Sequence, residues 1–260
     1  MKLKVLGSGS IVPTPRRFAS GYLLEISGRR ILIDPGPGAM EKLRRDYIMP
    51  QSLDLLLITH FHLDHIADFL PIVMSRAYGV DGKPAQKPAT LRAVGPKGLE
   101  KLYRRLVVET EEFSYLSRVM GCLDYIEIVE MGDGETLEHA GLVTKASEVE
   151  HFNGIAYRIE GEGVSITYSG DTVPDERLVE LAKNCDILIH ECSFPHEELY
   201  GKHTSETQLA EIARKTRPKL VLATHLYPSW EGMEERIVRA VQAAGVSVKV
   251  AYDLMEIIEI

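Results

Sequence analysis

The chain has 260 residues, 45% of them hydrophobic and 26% charged, with a formal net charge of -8. This is an ordinary composition for a soluble globular protein, and the acidic balance argues against broad non-specific binding to nucleic acid, which needs net positive surface. No run approaches the roughly 18 to 20 apolar residues of a bilayer span, and the opening Met1-Lys2-Leu3-Lys4-Val5-Leu6-Gly7 turns to glycine and serine too early for a signal peptide, so a cytoplasmic protein without a membrane partner is expected.

Short strands are predicted at 3–6, 21–26 and 30–34, the last two joined by a hairpin turn at Ser27-Gly28-Arg29. A helix should follow over 38–45. The continuous apolar run 54–58 reads as a strand buried on both faces, and it ends in Thr59-His60. A helix is predicted over 64–78, then a loop over 79–88, rich in glycine and proline and long enough to be functional. After a strand at 90–94, Gly95-Pro96-Lys97 opens a helix. Its Leu99, Leu102, Tyr103 and Leu106 share one face, and Lys97, Lys101, Arg104 and Arg105 share another. The basic stripe reads as a solvated face.

Residues 125–169 are strand-rich, with turns at Gly132-Asp133-Gly134 and Gly161-Glu162-Gly163. The remainder alternates: helices near 176–182, 205–215 and 233–244 precede strands at 186–189, 219–223 and 247–250. Ser205 with Gln208 fits a capping box. No repeat, low-complexity tract or composition break divides the chain, so one domain over 1–260 is expected. Strands first and alternation afterwards suit an α/β (α+β) fold: a four-layer αββα sandwich, two mixed sheets face to face with helices on both outer faces. Cys122, Cys185 and Cys192 are odd in number and lack finger-like spacing, so buried free thiols are expected.

His60-Phe61-His62-Leu63-Asp64-His65 places four potential metal ligands in six residues, directly after a buried strand. Neutral imidazoles and a carboxylate are what zinc and its borderline neighbours accept. At this chain's own histidine and aspartate frequencies, such a segment would arise about once in two thousand sequences, which sets it apart from the scattered histidines. Alternate residues His60 and His62 point one way, while Asp64 and His65 begin the next turn, so two neighbouring ions are expected. Six residues cannot close two coordination shells. Strand ends offer further donors in His151, Asp171 and His225. The expected arrangement has one ion on His60, His62 and His151, another on Asp64, His65 and His225, and Asp171 bridging both. Asp34 is expected either to accept a ligand imidazole N–H or to cap a turn. His139 and His196 read as exposed and His190 as structural. His203 precedes a helix N-terminus, where an anionic group can be held, and Glu191 is expected near it.

These residues make the sequence resemble the metallo-β-lactamase superfamily, and within it the branch of ribonuclease Z and related phosphodiesterases. The resemblance is carried by Leu6-Gly7-Ser8-Gly9-Ser10 with Pro13-Thr14, Leu32-Ile33-Asp34-Pro35-Gly36-Pro37-Gly38, the H-x-H-x-D-H segment, Gly95-Pro96, Ser169-Gly170-Asp171-Thr172 and Thr224-His225-Leu226. Glu191 in His190-Glu191-Cys192-Ser193-Phe194 looks like the branch's acidic residue after a strand, and His203 like the histidine it pairs with. Two departures weigh against tRNA. The tRNA-gripping arm inserted before the Gly-Asp motif is missing, since only one hairpin's worth of chain separates His151 from Asp171. The early P-x-K-x-R-N loop appears as Pro13-Thr14-Pro15-Arg16-Arg17-Phe18, keeping the arginine but replacing the lysine with Pro15 and the asparagine with Phe18.

The resemblance implies a dinuclear metal-dependent hydrolase acting on phosphodiesters by way of a metal-bridging hydroxide. Zinc is the expected cofactor, and manganese, iron or cobalt also suit these donors. Asp64 would be both ligand and orienter of the nucleophile, and His203, held by Glu191, would stabilise the oxyanion or protonate the leaving oxygen. The alternatives are hydrolysis of another ester, such as a lactone, thioester or cyclic phosphodiester, and a non-catalytic metal-binding protein. A redox di-iron site is disfavoured because His62 stands where such relatives carry a carboxylate. RNA is a possible substrate, and a homodimer is the expected assembly.

Overall fold

The computed structural model describes residues 1–258. Its first half builds one sheet from β1 (Lys2–Gly7), β2 (Gly21–Ile26), β3 (Arg29–Ile33), β4 (Leu55–Leu57), β5 (Leu91–Gly95) and β6 (Ile126–Glu130). The second half builds the other from β7 (Thr136–His139), β8 (Leu142–Val149), β9 (Gly154–Gly161), β10 (Val164–Tyr168), β11 (Ile187–Glu191), β12 (Leu220–Thr224) and β13 (Ser247–Val250). A last strand, β14 (Glu256–Ile258), crosses back to pair antiparallel with β1. The sheet orders are β14-β1-β2-β3-β4-β5-β6 and β13-β12-β11-β10-β9-β8-β7. In each, antiparallel hairpins at one side give way to parallel strands at the other.

Strand alternation sorts the apolar residues into layers. Val5, Leu24, Ile31, Ile33, Leu55 and Leu57 of the first sheet pack between the sheets against Tyr157, Ile159, Ile166, Ile187 and Ile189 of the second. Their neighbours Leu6, Leu23, Leu32 and Leu56 turn outward, under α1 (Ala39–Arg45), α3 (Phe69–Arg76) and α4 (Leu99–Arg104), with the one-turn α2 (Leu63–Ile66) between the first two of these. The short α5 (Tyr115–Arg118) closes that layer through Leu116. On the far face α6 (Glu176–Ala182), α7 (Glu206–Thr216) and α8 (Glu235–Ala243) cover the second sheet through Val179, Leu209, Ile212, Ala213, Ile237 and Val241. The fold is the expected four-layer αββα sandwich, and all three cysteines are buried and free. Among the described residues no helix is long and apolar enough to cross a membrane.

Several local expectations are met in atomic terms. Ser27 (φ 53°) and Gly28 (φ 68°) make the tight turn between β2 and β3. Ser205 caps α7, with its backbone N–H donating to Gln208 Oε1 at 3.0 Å. Lys97, Lys101, Arg104 and Arg105 are all exposed, as is His196.

Others are corrected. The helix expected over 64–78 breaks at Ala67-Asp68. The Asp68 N–H donates to Pro35 O at 2.8 Å and its carboxylate accepts from the Met40 N–H at 2.9 Å, so this residue is held by the preceding loop. The helix opening at Pro96 ends as a wide turn, Arg105–Glu109. β11 runs to Glu191, which places His190 and Glu191 inside the sheet, both fully buried. His139 is half-buried rather than exposed, because Arg92 donates to its Nδ1 at 3.0 Å.

Close backbone approach explains one glycine next to the dense histidine segment. A Cβ on Gly36 would lie 2.2 Å from Asp64 O and 2.4 Å from Ser20 O. Gly36→Ala should therefore push the His60–His65 turn away from β3 and destabilise the fold by about 1–3 kcal/mol, the usual range for overpacking. A fall in urea midpoint at unchanged slope is the expected readout.

Candidate metal centre

The chain leaves β4, β8, β10 and β12 at the same edge of the sandwich, and each exit carries a donor. His60 follows β4, His151 follows β8, Asp171 follows β10 and His225 follows β12. Open sheets place ligands in this way, outside the carboxyl ends of parallel strands. All seven residues singled out as donors meet there. His60, His62, His151 and Asp171 offer atoms within 4.8 Å of one another, as do Asp64, His65 and His225. All are buried except His62, which opens to solvent.

Asp171 lies between the two groups. Its Oδ2 is 3.8 Å from His60 Nε2 and 3.9 Å from His151 Nε2. Its Oδ1 is 3.4 Å from both His65 Nε2 and His225 Nε2. Asp64 Oδ2 completes the second group at 3.4 Å from His225 Nε2. In the first group, His62 Nδ1 lies 3.0 Å from His60 Nε2 and 3.4 Å from His151 Nε2. These spacings bracket the roughly 3.3 Å edge of a tetrahedron whose corners sit about 2.0 Å from a central ion. Asp171 Oδ1 is buried with no aligned hydrogen-bond donor among the described residues, a costly state for a carboxylate oxygen unless a cation meets it. The donor set, the spacings and this orphaned oxygen all fit divalent metal.

The electrostatics agree. Burial alone would raise the Asp171 pKa, but His225, His65 and His60 hold it well below the ordinary carboxylate value. Burial opposes charge on His65, yet Asp171 and Asp34 flank it and raise its pKa well above 6.5. Burial, helped by neighbouring His65, pushes His60 well down, and burial lowers His151 as well. His60 and His151 thus favour the neutral imidazole, the form that binds metal, while His65 would release a proton when a cation met its Nε2.

A second layer of contacts sets the ring orientations. His65 Nδ1–H donates to Asp34 Oδ2 at 2.7 Å, which settles the Asp34 alternative in favour of imidazole acceptor. That carboxylate also accepts from Thr59 N (2.8 Å), Thr59 Oγ1 (2.7 Å) and the Tyr168 hydroxyl (2.9 Å). His151 Nδ1–H donates to Lys202 O at 3.1 Å. His225 has φ 56°, a left-handed conformation that costs a non-glycine residue about 1–3 kcal/mol and tends to mark functional sites. It is held there by the Leu226 N–H donating to Ser8 O at 3.1 Å. Gly170 (φ 58°) passes Thr59 so closely that a Cβ would sit 2.9 Å from Thr59 Cβ. Thr59, Tyr168 and Ser193 were not anticipated from sequence; hydroxyl residues next to a ligand motif carry no spacing signal of their own.

Glu191 and His203 meet as expected, with His203 Nδ1 3.1 Å from Glu191 Oε1. The fully buried carboxylate also accepts from Thr172 N (2.7 Å), Thr204 N (3.1 Å) and Ser193 Oγ (2.5 Å). Burial works against charge on His203, but Glu191 outweighs it and raises the pKa. The His203 ring stacks on His225 at 5.6 Å and lies 5.7 Å from the His151 ring, so the pair reaches both donor groups.

Aromatic side chains rim the mouth. Phe152, 65% exposed, lies 5.5 Å from the His62 ring and 5.3 Å from that of His151, while Phe194 and Tyr227 stack at 4.3 Å on the His203 side. Between His151 and Asp171 the chain forms only the β9–β10 hairpin, turning at Glu162 (φ 51°) and Gly163 (φ 76°). Arg17 is buried, its Nε donating to Ala251 O at 3.1 Å and its guanidinium to Glu234 at 3.1 Å.

Residues 29–226 match the family model described as beta-lactamase superfamily domain. The ribonuclease Z of Exiguobacterium sp. (strain ATCC BAA-1283 / AT1b) is 26% identical, covering 98% of each chain. That alignment spans 312 residues against the 260 of this chain, so the relative carries segments absent here. Among solved structures, the metallo-beta-lactamase fold protein YhfI from Bacillus subtilis superposes with TM-score 0.80 at 21% identity, covering 98% of each chain. A diphosphatase from the PhnP family superposes with TM-score 0.76 at 20% identity, covering 99% of this chain and 97% of that one. With two stacked mixed sheets, an H-x-H-x-D-H turn at their edge and a family match over most of its length, this chain belongs to the metallo-β-lactamase superfamily.

Proposed function

We propose that the protein is a dinuclear metal-dependent phosphodiesterase related to ribonuclease Z. The observation that carries this reading is the pair of donor groups flanking Asp171, with the Glu191–His203 pair against both of them. The ribonuclease Z and the PhnP-family diphosphatase described above, one named for RNA and the other for a diphosphate, support a phosphate-linked substrate class.

Divalent cations, zinc foremost among those these donors accept, would supply Lewis acidity and positive charge against the phosphoryl oxygens. The remaining chemistry falls to side chains of this chain. Asp64, a carboxylate at the edge of its group, serves as ligand and accepts a hydrogen from the attacking water, aligning it with phosphorus. His203 keeps its Nδ1–H on Glu191, which leaves Nε2 to meet the leaving oxygen. Glu191 raises the ring's pKa, which favours the acid form that can donate a proton there. The buried edge, with only His62 opening outward, limits solvent around the reacting centre.

Processing of tRNA ends is the weaker reading. The hairpin leaves no arm to grip tRNA, and Arg17, the arginine kept from the early loop, is buried and paired with Glu234.

Dialysis against a chelator should abolish hydrolysis of bis(p-nitrophenyl) phosphate, and zinc or manganese should restore it. Activity confined to p-nitrophenyl acetate or a lactone would move the assignment to carboxylic esters. Asp171→Ala should drop bound metal from two equivalents per chain to less than one, as measured by elemental analysis. His203→Ala should lower kcat on the phosphodiester by roughly 10²–10⁴, the usual contribution of a general acid, with bound metal unchanged; undiminished turnover would remove His203 from the reaction.

A further inference from the structure

We propose that Ser193 is a positioning residue that sets the imidazole of His225 for one cation and ties that site to the Glu191–His203 pair. The inference rests on the metal-dependent reading above and extends it to a residue outside the donor set.

Ser193 is fully buried in the loop that leaves β11. Its backbone is fastened to the two segments that matter. The Ser193 N–H donates to Thr204 O at 3.0 Å, next to His203, and the Tyr227 N–H donates to Ser193 O at 3.2 Å, two residues beyond His225. The hydroxyl therefore cannot drift relative to either ring.

Three groups converge on that hydroxyl. Glu191 Oε2 is 2.5 Å away, His225 Nδ1 3.0 Å and His203 Nδ1 3.2 Å. A serine hydroxyl has one proton and two lone pairs. An ionised carboxylate can only accept, so the proton goes to Glu191 Oε2. Both lone pairs then face ring nitrogens, which must be N–H to interact favourably. For His225 this selects the tautomer with the proton on Nδ1 and a bare lone pair on Nε2. That nitrogen lies 3.4 Å from Asp64 Oδ2 and 3.4 Å from Asp171 Oδ1, where the cation would sit. For His203 the same geometry shares Nδ1–H between Ser193 and Glu191, so one hydroxyl links the proton-donor pair to a metal-facing ring.

The other buried rings have their own orienting acceptors: Asp34 for His65, Lys202 O for His151, and Thr59 Oγ1, 3.1 Å from Nδ1, for His60. Among the described residues, Ser193 alone meets Nδ1 of His225. Its loss should therefore be felt at one cation site and spare the other. A serine that merely fills the loop would show no such selectivity.

The test is a competitive titration of wild-type protein, Ser193→Ala and Ser193→Thr with Zn²⁺ against a chromophoric chelator, repeated with Co²⁺ to follow the visible absorption of each equivalent. Wild type should take two equivalents. Ser193→Ala should bind one of them about 10- to 100-fold more weakly, the range for losing such an orienting contact, and the other within about twofold of wild type. Ser193→Thr, which keeps the hydroxyl, should match wild type. Unchanged affinities in the alanine variant, equal weakening of both equivalents, or the same selective loss in the threonine variant would each overturn the role of Ser193. Fewer than two equivalents in the wild type would instead overturn the dinuclear reading. The metal-free alanine variant should still melt in one cooperative transition, lowered only by the loss of one buried hydrogen-bonding hydroxyl, and loss of that cooperative transition would count against the role of Ser193.

Discussion

The structure is organised around a carboxylate, Asp171, that is buried where water cannot solvate it. Removing an ion of that size from water carries a penalty of several kcal/mol, and one of its oxygens finds no aligned donor among the described residues. Positive charge must therefore be supplied on both sides, and imidazoles are arranged to deliver it or to hold metal that does. His65 shows the constraint most sharply, lying between Asp171 and Asp34, carboxylates contributed by opposite halves of the chain. What looks in sequence like a list of ligands is in three dimensions a compensation scheme for buried negative charge.

The same edge is where the interior between the sheets changes character. Deeper in, isoleucine and leucine from both sheets interdigitate. Toward the site, three buried tyrosines extend polar tips across the gap: Tyr22 to Thr224, Tyr157 to the Ile58 carbonyl and Tyr168 to Asp34. A tyrosine suits this position because its ring belongs to the apolar layer while its hydroxyl needs a partner. These contacts fix the spacing of the sheets at the point where donors from both must meet.

The Glu191–His203 pair sits against both donor groups, its imidazole 5.6 Å from the His225 ring and 5.7 Å from that of His151. Glu191 accepts four hydrogen bonds without exposure, and through Ser193 and His203 it reaches the group that contains His225. His62 is open and bordered by Phe152.

Much of this was legible in the residues themselves. The H-x-H-x-D-H segment after an apolar strand announced the centre because few other arrangements put four donors at the end of a buried element. Alternating strand and helix patterns forecast the layers, and the Ser205–Gln208 cap located α7 correctly, because these signals are local and repeat at the period of the backbone. The break at Asp68, the burial of His139 and the pairing of β14 with β1 depended on partners far along the chain: Pro35 and Met40, Arg92, and the strand that opens the fold. Resemblance to known motifs thus pointed to the superfamily, the alternating patterns to the layer order, and the dense segment with the distant strand ends to the histidines and aspartates that the fold gathers. Only the folded chain brought Asp171, expected between the two groups, to 3.4 Å from His65, chose for Asp34 the imidazole over the turn, and joined Glu191 to His225 through Ser193, since these contacts link residues up to 106 positions apart and sequence order does not fix which of them meet.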